Sequence, residues 1–150
     1  MNTDFPASRN ARRGPKDAMA PRTLRPKTEA DGMEVKIKES GDQLLVSLVG
    51  EFVGEASVQV QNAIRKTVDT GVRRFAVVWL DLSGVDFVDS VGLGTLMGVK
   101  VTCQRCKAKL ILVGPSDELI ATLVVVRFTK IFEIVSLREA QNRAPALFQP

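Results

Sequence analysis

Apolar and polar positions follow two different periods along this chain, and together they predict strands that alternate with helices. Phe75–Leu80 is apolar without a break, a pattern typical of a strand covered on both faces in the middle of a sheet. Met33–Lys38 alternates apolar and charged residues, as a half-exposed strand does, and Leu44–Val49 is the next largely apolar run. Because the turn signal Gly41-Asp42 stands between these two runs, we expect them to pair as a hairpin.

Elsewhere the apolar period is that of helices. Apolar residues recur three and four apart from Ala56 to Val68, which predicts an amphipathic helix ending near Gly71. A second helix is predicted to open at Ser90. A strand, a helix, a strand and a short helix with a capping box follow in this order: Lys109–Val113, Ser116 to about Val126, Phe132–Val135 and Ser136–Glu139 onward. For the β-branched run Leu123–Val126, a strand is the alternative.

This order of elements predicts an α/β fold, a single domain with a mixed sheet of about five strands and four helices. A chain of 150 residues can bury one core without cross-links. Residues 1–32 hold four of the seven prolines and few large apolar side chains, so we expect a disordered basic tail there. The domain is predicted to cover residues 33–142, followed by a flexible C-terminus at residues 143–150.

The net charge of +4 is divided unevenly along the chain. Residues 1–32 contain seven basic and four acidic residues, a balance of +3, whereas residues 33–150 contain fourteen and thirteen, a balance of +1. The near-neutral domain gives no electrostatic reason to bind nucleic acid directly. No apolar run approaches the ~18 residues of a membrane span and no secretory signal is evident, so we expect a cytoplasmic protein without membrane contact.

The chain has no histidine, which excludes histidine-based acid–base catalysis and histidine metal sites. Cys103 and Cys106 have the C-x-x-C spacing, but they fall late in a predicted helix without further ligands. We interpret them as two ordinary thiols. A magnesium cluster of Asp81, Asp86 and Asp89 is disfavoured because the same residues must close a turn. We therefore expect neither a metal nor a cofactor.

The residues after the central strand carry the candidate chemistry. Asp81–Asp86 brings polar residues and Gly84, which predicts a loop. Asp89-Ser90 then opens the next helix, where free backbone amides and the positive end of the helix dipole accept an anion. On these residues alone, the Ser90 hydroxyl is either a helix cap or a phosphate acceptor. The Asp89 carboxylate could simply bond loop amides.

The segment LDLSGVDFVDSVGLGTLMG resembles the signature of bacterial anti-sigma factor antagonists, members of the STAS domain family. The resemblance extends from about Met33 to Asn142 and implies a STAS-like fold. In that family the serine that opens the helix is phosphorylated by the anti-sigma factor, which implies Ser90 as the phosphorylation site. The residues implied to bind the partner are Asp89, Ser90, Val91, Gly92, Leu93, Gly94 and Glu51.

The resemblance implies a binding protein and not an enzyme. Its partners would be an anti-sigma factor serine kinase, sequestered while Ser90 is unphosphorylated, and a serine phosphatase that resets the switch. The chain departs from the family pattern at two positions. A second hydroxyl residue often follows the serine, where this chain has Val91, and the loop after the second strand usually reads Gly-Glu-x-Asp, where this chain has Val53 in place of the Asp. Two alternatives stay open: a STAS scaffold subunit of a sensory or lipid-transport assembly, and a small nucleotide-binding or hydrolysing protein.

Overall fold

A mixed sheet forms the centre of the computed structural model, which describes residues 23–24, 33–69 and 74–148. The strands have the same order in space as in the chain: β1 (Thr23–Leu24), β2 (Met33–Ser40), β3 (Gln43–Phe52), β4 (Val77–Val88), β5 (Lys109–Val113) and β6 (Glu133–Val135). β1, β2 and β3 pair antiparallel, and β3 to β6 pair parallel. Five strands therefore make up the body of the sheet, and β1 adds two residues at its edge.

Helices cover both faces of this sheet. The described residues form four helices of seven residues or more and a shorter one: α1 (Gly54–Val68), α2 (Ser90–Arg105), α3 (Asp117–Val125), α4 (Leu137–Arg143) and α5 (Pro145–Phe148). α1, α2 and α3 bury Val60, Leu96 and Leu123 in the main core on one face. α4 and α5 cover Trp79 on the opposite face. None of these helices combines the length and the apolar composition needed to cross a bilayer.

The predicted α/β fold with about five strands and four helices is confirmed. Ser40 pairs with Gln43 across the predicted two-residue turn, so the hairpin forms as expected. The segment Leu123–Val126 ends α3 and is not a strand. Ser116 and Ser136 cap α3 and α4, accepting hydrogen bonds from the Leu119 and Glu139 amides at 3.1 and 3.0 Å. The expected helix end at Gly71 lies outside the described residues.

The loop predicted for Asp81–Asp86 is wrong, because β4 continues as one strand to Val88. Its second half pairs with β3 as far as Phe52, and two register shifts in that ladder take up the extra residues. Ser83, Asp86 and Phe87 are exposed there, whereas Leu82, Val85 and Val88 are buried. The polar residues that suggested a loop therefore belong to a partly exposed strand.

Residues 143–148 differ from the flexible C-terminus predicted for residues 143–150, of which residues 149–150 lie outside the described part. Pro145–Phe148 is helical, and Leu147 is 2% exposed beneath the sheet. The Phe148 ring packs edge-on against Trp79, with 5.7 Å between the ring centroids. Burial of these two apolar side chains explains why the segment is ordered. Of the predicted tail at residues 1–32, only Thr23–Leu24 is described, paired with Lys38 and Ile37 of β2.

Candidate functional site

Asp89 is the residue between the central strand β4 and helix α2. Its backbone is extended, and its carboxylate accepts a hydrogen bond from the Gly92 amide at 2.7 Å. Asp89 is therefore the N-cap of α2, and its negative charge lies at the positive end of the helix dipole. The cap role considered for Ser90 is wrong, because the carboxylate just before it already binds the free amide.

The same Asp89 carboxylate also binds the start of α1. The Gly54 amide lies 3.2 and 3.4 Å from the two carboxylate oxygens. Val53 occupies the N-cap position of α1, where its side chain makes no capping hydrogen bond, and Gly54 has a φ of +49° that favours glycine. Asp89 thus supplies the acceptor that Val53 lacks. One carboxylate holds the beginnings of α1 and α2 together.

Ser90 is the first residue of α2 and its side chain is exposed. Within the described residues, no hydrogen bond occupies its hydroxyl group. Val91 beside it is 45% exposed. A helix N-terminus with its amides in place and an exposed hydroxyl is chemically suited to carry an added phosphate.

Glu51 reaches the same end of the sheet from a different strand. It is exposed near the end of β3 and pairs in register with Phe87 of β4, whose ring is 57% exposed. Two further exposed acids, Glu55 and Asp86, belong to the same end of the molecule. Phe87 was not predicted as a surface residue, because an aromatic residue within an apolar pattern indicates core. The ladder of β3 with β4 shifts register directly before the Glu51–Phe87 pair.

The two glycines near the start of α2, Gly92 and Gly94, have different surroundings. A Cβ on Gly92 would lie 2.1 Å from the Phe52 carbonyl oxygen and 2.9 Å from Val88 Cγ1, so this position admits no side chain. A Cβ on Gly94 would meet nothing within 4 Å. Glycine inside a helix costs about 1 kcal/mol relative to alanine, and packing among the described residues does not explain that cost at Gly94. Leu93 between them packs against the main core.

The predicted site residues are thus brought to one end of the molecule. Asp89 to Gly94 form the cap and the first residues of α2, and Glu51 lies on the strand that leads into α1. A buried pair of hydroxyl groups, Ser57 on α1 and Thr95 on α2, lies 3.1 Å apart and joins the two helices. Sequence patterns did not indicate this pair, since each residue falls on an otherwise apolar helix face.

The two cysteines do not form a reactive centre. Both are free; burial raises the pKa of the Cys103 thiol to about 12. Burial and the nearby Asp69 carboxylate raise the pKa of Cys106 as well. A redox pair of this spacing needs a thiol with a lowered pKa, so these are ordinary thiols. Among the described residues, no three cysteine or carboxylate side chains are grouped as metal ligands.

Similar proteins share both this fold and part of this sequence. The chain is 26% identical over 111 residues to the anti-sigma-B factor antagonist of Listeria monocytogenes, which covers 73% of this chain and 95% of that protein. The unphosphorylated form of the anti-sigma factor antagonist SpoIIAA superposes with a TM-score of 0.58 at 18% identity, over 74% of this chain and 97% of that chain.

The phosphorylated form of the same Bacillus cell fate determinant superposes with a TM-score of 0.57 at 18% identity, over 73% of this chain and 98% of that chain. Identities this low establish a shared fold. The family model for the STAS domain matches residues 34–141, which is most of the 150 residues. The chain therefore belongs to the STAS domain family.

Proposed function

We propose that this protein is an anti-sigma factor antagonist controlled by phosphorylation of Ser90. Unmodified, it binds an anti-sigma factor that is also a serine kinase, and so releases a sigma factor for transcription. The observation that carries the proposal is the position of Ser90. Its exposed hydroxyl group opens α2, while Asp89 supplies the cap that the helix needs. Ser90 therefore has no capping role that would keep its hydroxyl from a kinase.

The relatives support this role. The Listeria protein named an anti-sigma-B factor antagonist spans nearly the same domain, and SpoIIAA has both an unphosphorylated and a phosphorylated form. The acceptor residue in this chain is Ser90 and not its neighbour, because Val91 has no hydroxyl group. These similarities and the exposed serine point to a binding protein that is itself the substrate of a kinase.

Asp89 determines where the charge of the phosphate acts. The Gly54 and Gly92 amides already bind its carboxylate, so a phosphate on Ser90 finds these two donors occupied. The added charge of about −1.5 to −2 therefore lies toward the surface, beside the exposed acids Glu51 and Asp86. We expect the domain to stay folded and the partner interface to bear the repulsion.

Chemistry of the partner explains why the phosphate breaks the complex. A kinase must hold the phosphates of its nucleotide next to the acceptor hydroxyl. After transfer, the new phosphate on Ser90 faces the remaining nucleotide diphosphate, and the two anions repel at close range. The antagonist then dissociates, and the anti-sigma factor is free again. A serine phosphatase returns Ser90 to the binding form.

The test is an incubation with the candidate anti-sigma factor kinase and ATP, followed by intact mass and a binding titration. Wild-type protein is expected to gain one phosphate, and Ser90→Ala none. Ser90→Ala should keep its affinity for the kinase, because the unmodified hydroxyl makes no capping bond. Ser90→Asp should bind more weakly, although it carries less charge than a phosphate.

Ser83→Ala is the matched control, since Ser83 is also an exposed serine but lies within β4, away from the start of α2. It should be phosphorylated and bind like the wild type. If Ser90→Ala gains phosphate at the wild-type yield, the acceptor residue is a different one. Equal affinity of the phosphorylated and unmodified proteins for the kinase would contradict the charge switch.

A further inference from the structure

The outward face of α2 has an unusual composition for a surface helix. Surface helices ordinarily present charged and polar residues to solvent. Of the sixteen residues of α2 only Lys100 and Arg105 are charged, and each interacts with a residue outside α2 and not with the outward face of α2. The Lys100 ammonium lies 5.4 Å from the centre of the Phe132 ring, and Arg105 pairs with Asp69 at 3.0 Å. The face between them is uncharged.

This face forms a single stripe that starts at Ser90. Residues spaced by four, three, four and three lie on one side of a helix. We define the α2 stripe as Ser90, Gly94, Met97, Val101 and Gln104. All are exposed except Met97, which is half-buried, and Val101 is 52% exposed although it is a large apolar side chain. Ser90 and Val101 are about 16 Å apart along the helix axis.

Gly94 is a second indication that something covers the stripe. No described residue lies within 4 Å of a Cβ placed on Gly94, so packing among the described residues gives no reason for a glycine in the second turn of the helix. A glycine without an internal reason allows another backbone to approach closely. The position is one turn from Ser90, on the stripe itself.

We propose that the anti-sigma factor docks along the whole α2 stripe, with an uncharged apolar surface outside its catalytic cleft covering Val101. This inference rests on the proposed function. A stable interface buries about 800 Å² on each partner, more than the few residues around Ser90 can provide. Among the described residues, the α2 stripe is an uncharged surface that continues directly from Ser90, so we expect a kinase that reaches this hydroxyl group to lie over Gly94 as well.

The experiment compares Val101→Lys with the wild type in a titration against the kinase and in phosphorylation kinetics. Lysine at this position should weaken the complex at least tenfold, because the ammonium group must lose its water in an apolar contact. It should raise the KM for phosphorylation of Ser90 by a similar factor and leave kcat within twofold. The thermal midpoint should not change, since Val101 is exposed.

Val125→Lys is the matched control, because Val125 is 80% exposed on α3 and lies outside the α2 stripe. It should bind and be phosphorylated like the wild type. If Val101→Lys matches the wild type while the wild type binds the kinase, the docking surface is wrong and the proposed function stands. If the wild type neither binds nor gains phosphate, both fail. A wild-type dimer that Val101→Lys converts to a monomer would assign the stripe to a second copy and overturn the proposal.

Discussion

At the scale of single residues, Asp89 stabilises two elements at once. Its carboxylate accepts hydrogen bonds from Gly54, the first residue of α1, and from Gly92 in the first turn of α2. Helix starts have unpaired amides, and a buried or half-buried amide without an acceptor lowers stability. Since the side chain of Val53 offers no acceptor to α1, the loss of Asp89 leaves both helices without a side-chain cap.

We therefore expect Asp89→Ala to lower the free energy of unfolding by about 2 kcal/mol, roughly the effect of two helix caps. Asp89→Asn keeps one acceptor oxygen, so it should lose about half of that. Urea denaturation measures both. Asp86→Ala is the control, since Asp86 is exposed and caps no helix, and should change stability by less than about 0.5 kcal/mol. A wild-type value for Asp89→Ala would mean that the two helix starts do not depend on this carboxylate.

Gly92 and Gly94 give opposite predictions for the same substitution. Gly92→Ala places a methyl group against the Phe52 carbonyl and should destabilise the protein by about 2 kcal/mol. Gly94→Ala adds a methyl group in open space and should stabilise it by about 0.5–1 kcal/mol, because alanine favours the helix. Thermal or urea denaturation of the two variants measures both changes in stability. Equal effects of the two substitutions would show that backbone packing at Gly92 is looser than described.

At the scale of elements, the strands and helices could be predicted where their pattern depends on burial on one or two faces. The hairpin and the helices after Ala56 and Ser116 have such patterns, and each was found where expected. The second half of β4 could not be predicted in this way. Some of its polar residues are exposed, and backbone hydrogen bonds to β3, which do not depend on side-chain type, keep it a strand.

The candidate site could be predicted only in part, because some of its contacts join residues that are distant in the sequence. The residue types and spacing of Asp89 to Gly94 placed them at a helix start. The hydrogen bond between Asp89 and Gly54 joins residues 35 positions apart, and a local sequence pattern cannot predict a contact between residues so far apart in the chain. The exposure of Phe87, beside a register shift of the sheet, was likewise not indicated by the local sequence pattern.

The C-terminal helix α5 is an element that composition alone did not predict. It consists of four residues, and packing beneath the sheet holds it in place. Leu147→Ala should lower the free energy of unfolding by about 2–3 kcal/mol, because it removes most of a fully buried side chain. Ala146→Ser is the control, because Ala146 is exposed on the same helix, and it should change the free energy of unfolding little. A loss below about 1 kcal/mol for Leu147→Ala would show that α5 adds little to the core.

At the scale of the whole molecule, the described residues 33–69 and 74–148 contain both cores. The main core lies beneath α1, α2 and α3, and the second core lies beneath α4 and α5. The STAS domain match covers residues 34–141, so the N-terminal 32 residues precede the matched domain. β1 contributes only two residues to the edge of the sheet.

Deleting residues 1–32 is expected to change the free energy of unfolding by less than ~1 kcal/mol, since their sequence holds few large apolar side chains. Calorimetry or urea denaturation of the shortened protein is the measurement. Deleting only residues 1–22 keeps β1 and separates its contribution from that of the preceding residues. A much larger loss on either deletion would mean that the N-terminal segment packs on the domain.

Trp79 has a practical consequence for experiments on this protein. It is the only tryptophan, it is 2% exposed against Phe148, and its indole nitrogen donates to Gln43 at 2.7 Å. Ser90 lies roughly 30 Å further along the strand direction and on the other face of the sheet. Native emission should thus be blue-shifted and insensitive to the phosphate. The fluorescence of Trp79 therefore reports whether α5 is packed against the sheet and should not respond to phosphorylation of Ser90. A fluorescence change during a kinase titration is then expected to come from the chromophores of the partner.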